Sequence, residues 1–277
     1  MAKIVTDSTA DIPADITARL GIVVIPNYVV FGLETYRDGV DLVKQQFYQK
    51  LAETKLIPTT AAPPPIVYEE AYRHLAGETD EIVSIHLAAK LSALHNSATV
   101  AAQGISEARV TVIDSGQVTM GYGWMVIAAA EAARRGETLE QIVALVEGMK
   151  RRSRVLAVLD TLEYVYRGGR VSWVQAMVGT LLRIKPIVEV HLGEIRPLER
   201  ARTLQGSLDR LLRLVEALGP LERIIVLHTN VPDRAECVAD RLRAIVPDWE
   251  RLIGQAGVTI ASHAGPGAVG IACVTVH

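Results

Sequence analysis

Along the first half of the chain, short apolar runs alternate with longer stretches in which apolar residues recur every three or four positions. The runs at residues 4–6, 23–31, 81–87 and 109–114 read as strands. The periodic stretches at 13–20, 42–54, 65–75 and 92–105 read as helices. Asp11 stands where an N-cap for 13–20 belongs. The loop 59–65 ends in Pro63-Pro64-Pro65, and proline suits the first turn of the helix that follows. A glycine loop is expected around Gly121-Tyr122-Gly123, and two helices then run to about residue 152. This rhythm predicts a mostly parallel sheet with helices on both faces.

The second half changes character. Strands are expected at 155–159, at 186–191 and 194–198 joined through Gly193, and at 223–228, 251–254, 258–261 and 269–276. Helices are expected at 207–218 and 233–245. Hairpin and helical pieces are mixed, so this half reads as α+β. The basic cluster Lys150-Arg151-Arg152 ends a helix just before the change. The expectation is a two-domain α/β protein, with an N-terminal α/β domain at 1–155, a C-terminal α+β domain at 156–277 and a ligand between them.

Composition narrows the function. The chain has 277 residues, of which 49% are hydrophobic and only 5% aromatic, so the core is built from Val, Leu, Ile and Ala. A net charge of −2 argues against nucleic acid as the main partner, because phosphate binding wants a basic face. The two cysteines, Cys237 and Cys273, lie too far apart in sequence for a zinc or disulfide framework. The first residues run straight into a strand with no signal-peptide layout, and no apolar run reaches the ~20 residues of a membrane span. The expectation is a cytoplasmic protein without stable membrane insertion.

Candidate chemistry gathers after the strands, where ligands collect in open α/β sheets. Thr60 and Ser92 each fall at or near an expected helix start, where free N–H groups favour a carboxylate or phosphate. Taken alone, each reads first as a plain helix cap and only second as a ligand. His263, in Ser262-His263-Ala264-Gly265-Pro266-Gly267, sits beside a glycine loop that lets backbone approach a ligand; the plainer reading is a turn histidine between two strands. Arg170, after Gly168-Gly169, and Arg202 could grip an anion in fork geometry or lie on the solvated surface. The apolar run 171–182 reads as a core or interface helix, with an acyl-chain wall as the less common use. His86 reads as a satisfied core or edge histidine. No His-Glu-x-x-His, cysteine pair or Gly-Lys-Ser/Thr loop is present, so neither a metal nor a cofactor is expected. A Ser92–His263 hydrolase lacks the Gly-x-Ser-x-Gly elbow.

Taken jointly, these pieces resemble the DegV family of bacterial fatty-acid-binding proteins over nearly the whole chain. The resemblance rests on Val5-Thr6-Asp7-Ser8-Thr9-Ala10-Asp11-Ile12-Pro13, Thr60 with Pro63, Leu91-Ser92 with Ser97-Ala98, and Val112-Ile113-Asp114-Ser115. It continues through Gly168-Gly169-Arg170, Ile184-Lys185-Pro186, Arg202-Thr203 and His263-Ala264-Gly265-Pro266-Gly267. It implies two domains enclosing one long-chain fatty acid, its carboxylate at Thr60 and Ser92 with His263 nearby. It also implies a separate ATP-dependent fatty acid kinase as partner, met by Arg170 and Arg202 or contacting the new phosphate through them. The sequence departs from the family pattern at Ala61-Ala62, where Ser-Gln is usual, and at Ala93, where glycine is usual. The competing readings are a Ser/His esterase or thioesterase acting on acyl substrates, and a partner-binding protein without a lipid.

Overall fold

The computed structural model describes residues 1–54, 56–175, 184–247 and 249–277. Much of the apolar run 171–182 therefore lies outside the described residues.

Strands β1 (Lys3–Asp7), β2 (Val23–Ile25), β6 (Glu81–His86) and β7 (Arg109–Asp114) form a wholly parallel sheet in the order β2-β1-β6-β7. β1 and β6 are buried almost end to end, as parallel strands covered on both faces must be. The covering helices are α1 (Ala14–Leu20), α3 (Pro65–Ala76), α4 (Leu94–Gln103), α5 (Met120–Arg134) and α6 (Leu139–Arg152). The expected 23–31 run breaks at Pro26-Asn27. Its second part, β3 (Tyr28–Phe31), joins β4 (Glu34–Arg37) and β5 (Thr59–Ala61) in an antiparallel sheet beside α2 (Lys44–Thr54). Thr60 thus lies on an edge strand rather than at a helix start.

The remaining strands form one sheet in the order β10-β9-β8-β13-β11-β12. They are β8 (Ser153–Val158), β9 (Lys185–His191), β10 (Glu194–Ala201), β11 (Leu221–His228), β12 (Ile253–Gln255) and β13 (Val269–Thr275). All neighbours are antiparallel except β11 and β12. One face packs Leu156, Ile271 and Cys273 against α9 (Leu204–Glu216) and α10 (Pro232–Leu242). The other face turns toward α5 and toward three short helices, α7 (Glu163–Gly168), α8 (Ser172–Gln175) and α11 (Val258–Ala264).

Three local expectations are corrected. Gly121 and Gly123 lie inside α5, not in a loop. A Cβ on Gly121 would fall 2.5 Å from Val155 Cγ2, and one on Gly123 would fall 2.7 Å from the Ala10 carbonyl. These glycines let the helix press against β8 and against the turn that follows β1, which outweighs their cost to helix propensity. Asp11 does not cap α1, whose N-cap is Pro13 without a side-chain bond. Its carboxylate turns inward and accepts from the Gly257 N–H at 2.7 Å and from the Thr119 hydroxyl. Residues 258–261 are helical, so His263 stands in the last turn of α11 rather than in a turn between strands.

Candidate functional site

Helices α4, α7 and α11 and strands of two of the sheets enclose a cavity. It offers about 180 Å³ to the centre of a water-sized sphere, well beyond the ~10–15 Å³ that one water needs. Its walls are mainly aliphatic: Leu87, Leu91 and Leu94 on one side, Val155, Val188 and Val190 on the other. Thr60, Ser92, Arg170 and His263 all line it. The structure brings these four together from β5, the entry to α4, the turn after α7 and the end of α11. Arg202 does not line it; it is exposed, one residue before the Thr203 cap of α9.

Thr60 Oγ1 and His263 Nε2 share a hydrogen bond of 2.9 Å. Burial, with the Arg170 cation nearby, pushes the His263 imidazole down to about 4. The ring is therefore neutral at neutral pH. One of its nitrogens then donates and the other accepts. Whichever way the shared bond runs, the pair keeps one hydrogen free, either on the threonine hydroxyl or on Nδ1. Ser92 Oγ accepts from the Leu94 N–H at 3.3 Å and so keeps its own hydrogen available. Ser92 is not the N-cap of α4, which is Ala93; it stands one residue before it. Arg170 is exposed at the rim, where its Nη1 donates to the Gly168 carbonyl at 2.6 Å.

The two glycine motifs that flank this site prove to be one piece of packing. A Cβ on Gly168 would lie 2.7 Å from His263 Nδ1, and one on Gly265 would lie 2.5 Å from the Tyr164 ring. Helix α7 therefore presses directly onto α11, fixing the His263 ring, and Arg170 follows two residues later. Close approach of backbone is the reason for glycine at both places.

Behind the cavity lies a polar cluster that sequence reasoning missed. Asn27, Thr119, His228, Thr229 and Thr259 also line the space. Asp38 accepts from the Thr259 hydroxyl at 2.7 Å, from the Thr259 N–H at 3.2 Å and from Ser8 Oγ at 3.1 Å. With Asp11 on Gly257, two buried carboxylates hold the start of α11. Burial pushes the Asp11 carboxyl up to about 7, against the pull of the Lys44 charge. Burial likewise raises Asp38. Thr119 sits at φ 45° and ψ −145°, a region that a β-branched residue reaches only under strain. Its bond to Asp11 helps hold it there. No sequence signal marks Thr119, which reads as an ordinary helix-capping threonine.

A second histidine cluster is sealed. His86 lies 2.9 Å from Asp7 Oδ2 and 2.7 Å from Ser84 Oγ, which accepts from the Tyr72 hydroxyl at 2.7 Å. Asp7 also accepts from Thr9 and, at 2.7 Å, from Tyr122. Burial alone would raise the Asp7 carboxyl, but the bonds from His86, Thr9 and Tyr122 and the nearby His86 charge bring it below its ordinary value. Asp7, Ser84 and His86 are all 0% exposed. Among the described residues no group of three His, Cys, Asp or Glu could hold a metal ion, and no helix is long and apolar enough to cross a membrane.

The chain matches, over residues 1–276, the family model described as an uncharacterised protein of the DegV family. A DegV domain-containing protein of Streptomyces coelicolor is 38% identical over 272 residues, covering 97% of this chain and 96% of that one. Two solved structures cover 99% of both chains. A DegV family protein from Thermus thermophilus, described by its fatty acid binding, is 34% identical with a TM-score of 0.92. DegV from Bacillus subtilis, described as a fatty acid binding protein, is 33% identical with a TM-score of 0.91. Fold and site define a mixed α/β protein built around an apolar cavity with a few convergent polar groups. The chain belongs to the DegV family.

Proposed function

We propose that this protein binds one long-chain fatty acid in the cavity. Thr60 and Ser92 hold the carboxylate through their hydroxyl hydrogens, and His263 assists through its bond to Thr60. The observation that carries the reading is an apolar enclosure whose polar lining includes Thr60, Ser92, Arg170 and His263. The two relatives described as fatty-acid-binding add support, since they share the fold over almost the full length. Each buried CH₂ contributes about 0.8 kcal/mol, so a long chain binds tightly enough to survive purification.

In this reading the protein is a cytoplasmic carrier, not an enzyme. A separate ATP-dependent fatty acid kinase forms the acyl-phosphate, with Arg170 at the rim and exposed Arg202 meeting that kinase or the new phosphate. The division at about residue 155 belongs to the same reading, with the lipid between the two parts. The experiment is organic extraction of the purified protein, followed by uptake of palmitate or oleate. A fatty acid in the extract supports the proposal; an empty protein that takes up neither acid defeats it. The esterase alternative draws little support, because His263 bonds Thr60 and Ser92 engages Leu94. Turnover of a chromogenic acyl ester, lost in Ser92→Ala, would revive it.

A further inference from the structure

The turn that presents Ser92 is held by a segment distant in sequence. Strands β6 and β7 are parallel neighbours, and their last residues, His86 and Asp114, are register partners. The segments that leave them run side by side at the carboxyl ends of the sheet, where open α/β sheets collect ligands. After β6, the Ala88 carbonyl accepts from the Leu91 N–H at 2.9 Å and from the Ser92 N–H at 3.2 Å. Residues 88–91 therefore form a β-turn, with Ala89 and Lys90 at its exposed tip. Leu91 and Ser92, at its end, line the cavity.

Two bonds from the segment after β7 fix this turn. The Gln117 carbonyl accepts from the Ala88 N–H at 2.9 Å. Asp114 Oδ1 accepts from the Ala89 N–H at 3.0 Å and from the Gly116 N–H at 2.9 Å. The Gly116 bond is the local turn that aspartate makes with the N–H two residues on. The Ala89 bond reaches across 25 positions, and a plain cap of the 114–117 turn has no use for it. The segment that makes these bonds is itself anchored. Buried Gln117 donates through Nε2 to the Ser153 carbonyl at 2.9 Å and to the Val190 carbonyl at 3.1 Å. The Gly116 carbonyl accepts from the Gly193 N–H at 2.7 Å, at the tip of the β9–β10 hairpin. A further tie on the turn, Lys90 with Glu194 at 3.2 Å, is 62% and 46% exposed, and exposed pairs of this kind hold little.

We propose that Asp114 is a positioning residue for Ser92: its carboxylate takes the Ala89 N–H and so sets the turn that presents the Ser92 hydroxyl to the cavity. This rests on the fatty-acid reading above and deepens it, by naming what holds one of the two carboxylate-binding hydroxyls in place. Asp114 does not line the cavity, so it acts through the serine and not on the ligand. A hydrogen bond weakens steeply as it bends or lengthens. A turn released from Asp114 therefore forfeits part of what Ser92 contributes, and no more than that.

The test titrates palmitate into delipidated wild type, Ser92→Ala, Asp114→Ala, Asp114→Asn, Ala89→Pro and the Asp114→Ala/Ser92→Ala double variant. Ala89→Pro deletes the N–H that Asp114 accepts and leaves the Asp114–Gly116 bond alone, and proline suits the second position of a β-turn. Asp114→Ala and Ala89→Pro are each expected to weaken palmitate binding about three- to tenfold, and no more than Ser92→Ala does. Asp114→Asn keeps an accepting oxygen and should recover most of the affinity. With Ser92 already replaced, Asp114→Ala should cost nothing further. Thermal unfolding confirms that each variant is folded, and Ala89→Pro, at an exposed turn tip, carries the test if Asp114→Ala is not. Wild-type affinity in Ala89→Pro, or an equal loss from Asp114→Ala with and without Ser92, overturns the positioning role and leaves the carrier reading intact. A wild type that takes up no palmitate overturns the carrier reading, and the role of Asp114 with it.

Discussion

Two histidines in this protein bond to hydroxyl side chains, and the contrast between their surroundings is instructive. His86 has a serine on one side and a carboxylate on the other, the arrangement that activates a nucleophile in hydrolases. Yet it is fully buried, and Tyr72 caps the serine. His263 faces a cavity and bonds Thr60, but its neighbouring charge is the Arg170 cation, and among the described residues no carboxylate hydrogen-bonds to it. Thus the triad-like set has no access, and the accessible histidine has no carboxylate to make it a base. On the proposed reading the cavity holds an anion, while the sealed cluster holds the fold.

The largest expected effect comes from breaking the sealed cluster. Asp7→Ala leaves His86 and Tyr122 without their acceptor, and removing one member of a buried pair costs about 3–5 kcal/mol. Denaturant unfolding should show a lower midpoint with an unchanged slope, while the remaining folded protein keeps its ligand. Loss of ligand without loss of stability would reverse the roles assigned to the two histidines.

The pH dependence of stability sharpens the comparison next. Asp11, raised to about 7 in the fold from a usual 3.8, keeps its proton there while the unfolded chain has lost it. Its contribution to stability falls as pH rises from 4 to 7. His263, lowered to about 4 from 6.5, behaves oppositely, because the unfolded chain binds the extra proton. Its contribution rises from pH 4 to 6.5. The two slopes offset one another in the wild type. Relative to it, Asp11→Asn should gain stability with rising pH and His263→Gln should lose it, as thermal melts across pH 4–7 would record. Melts in which neither variant departs from the wild-type slope would contradict the assignment.

Smaller effects are expected at the head group. Thr60→Val removes a hydrogen bond to a charged ligand group, worth about 1.5–3 kcal/mol, or roughly ten- to a hundredfold in affinity. Fatty-acid titration should show this with little change in melting temperature, since Thr60 is half-buried on an edge strand. Ser92→Ala should weaken binding by the same mechanism but less, because its hydroxyl already serves Leu94.

The parallel sheet was legible in the sequence because β1, β6 and β7 are apolar runs framed by periodic helices. The break at Pro26-Asn27 was harder, since proline interrupts a strand without saying which sheet its second half joins. Gly121 and Gly123 misled for a physical reason: glycine marks both loops and close helix packing, and only the position of Val155 and Ala10 decides between them. At the site, Thr60, Arg170 and His263 were legible as polar residues beside proline or glycine turns, and Ser92 as a hydroxyl residue between a strand and a helix. Asn27, Thr119 and Thr259 were not, because their place in the cavity depends on Asp11 and Asp38 gripping a helix more than 200 residues away in sequence.

The most direct measurement is native mass spectrometry of the purified protein beside its Thr60→Val/Ser92→Ala double variant, each after exposure to palmitate. The account predicts one fatty acid per wild-type chain and a folded variant that is mostly empty. An empty wild type, or a variant loaded as fully as the wild type, would contradict it.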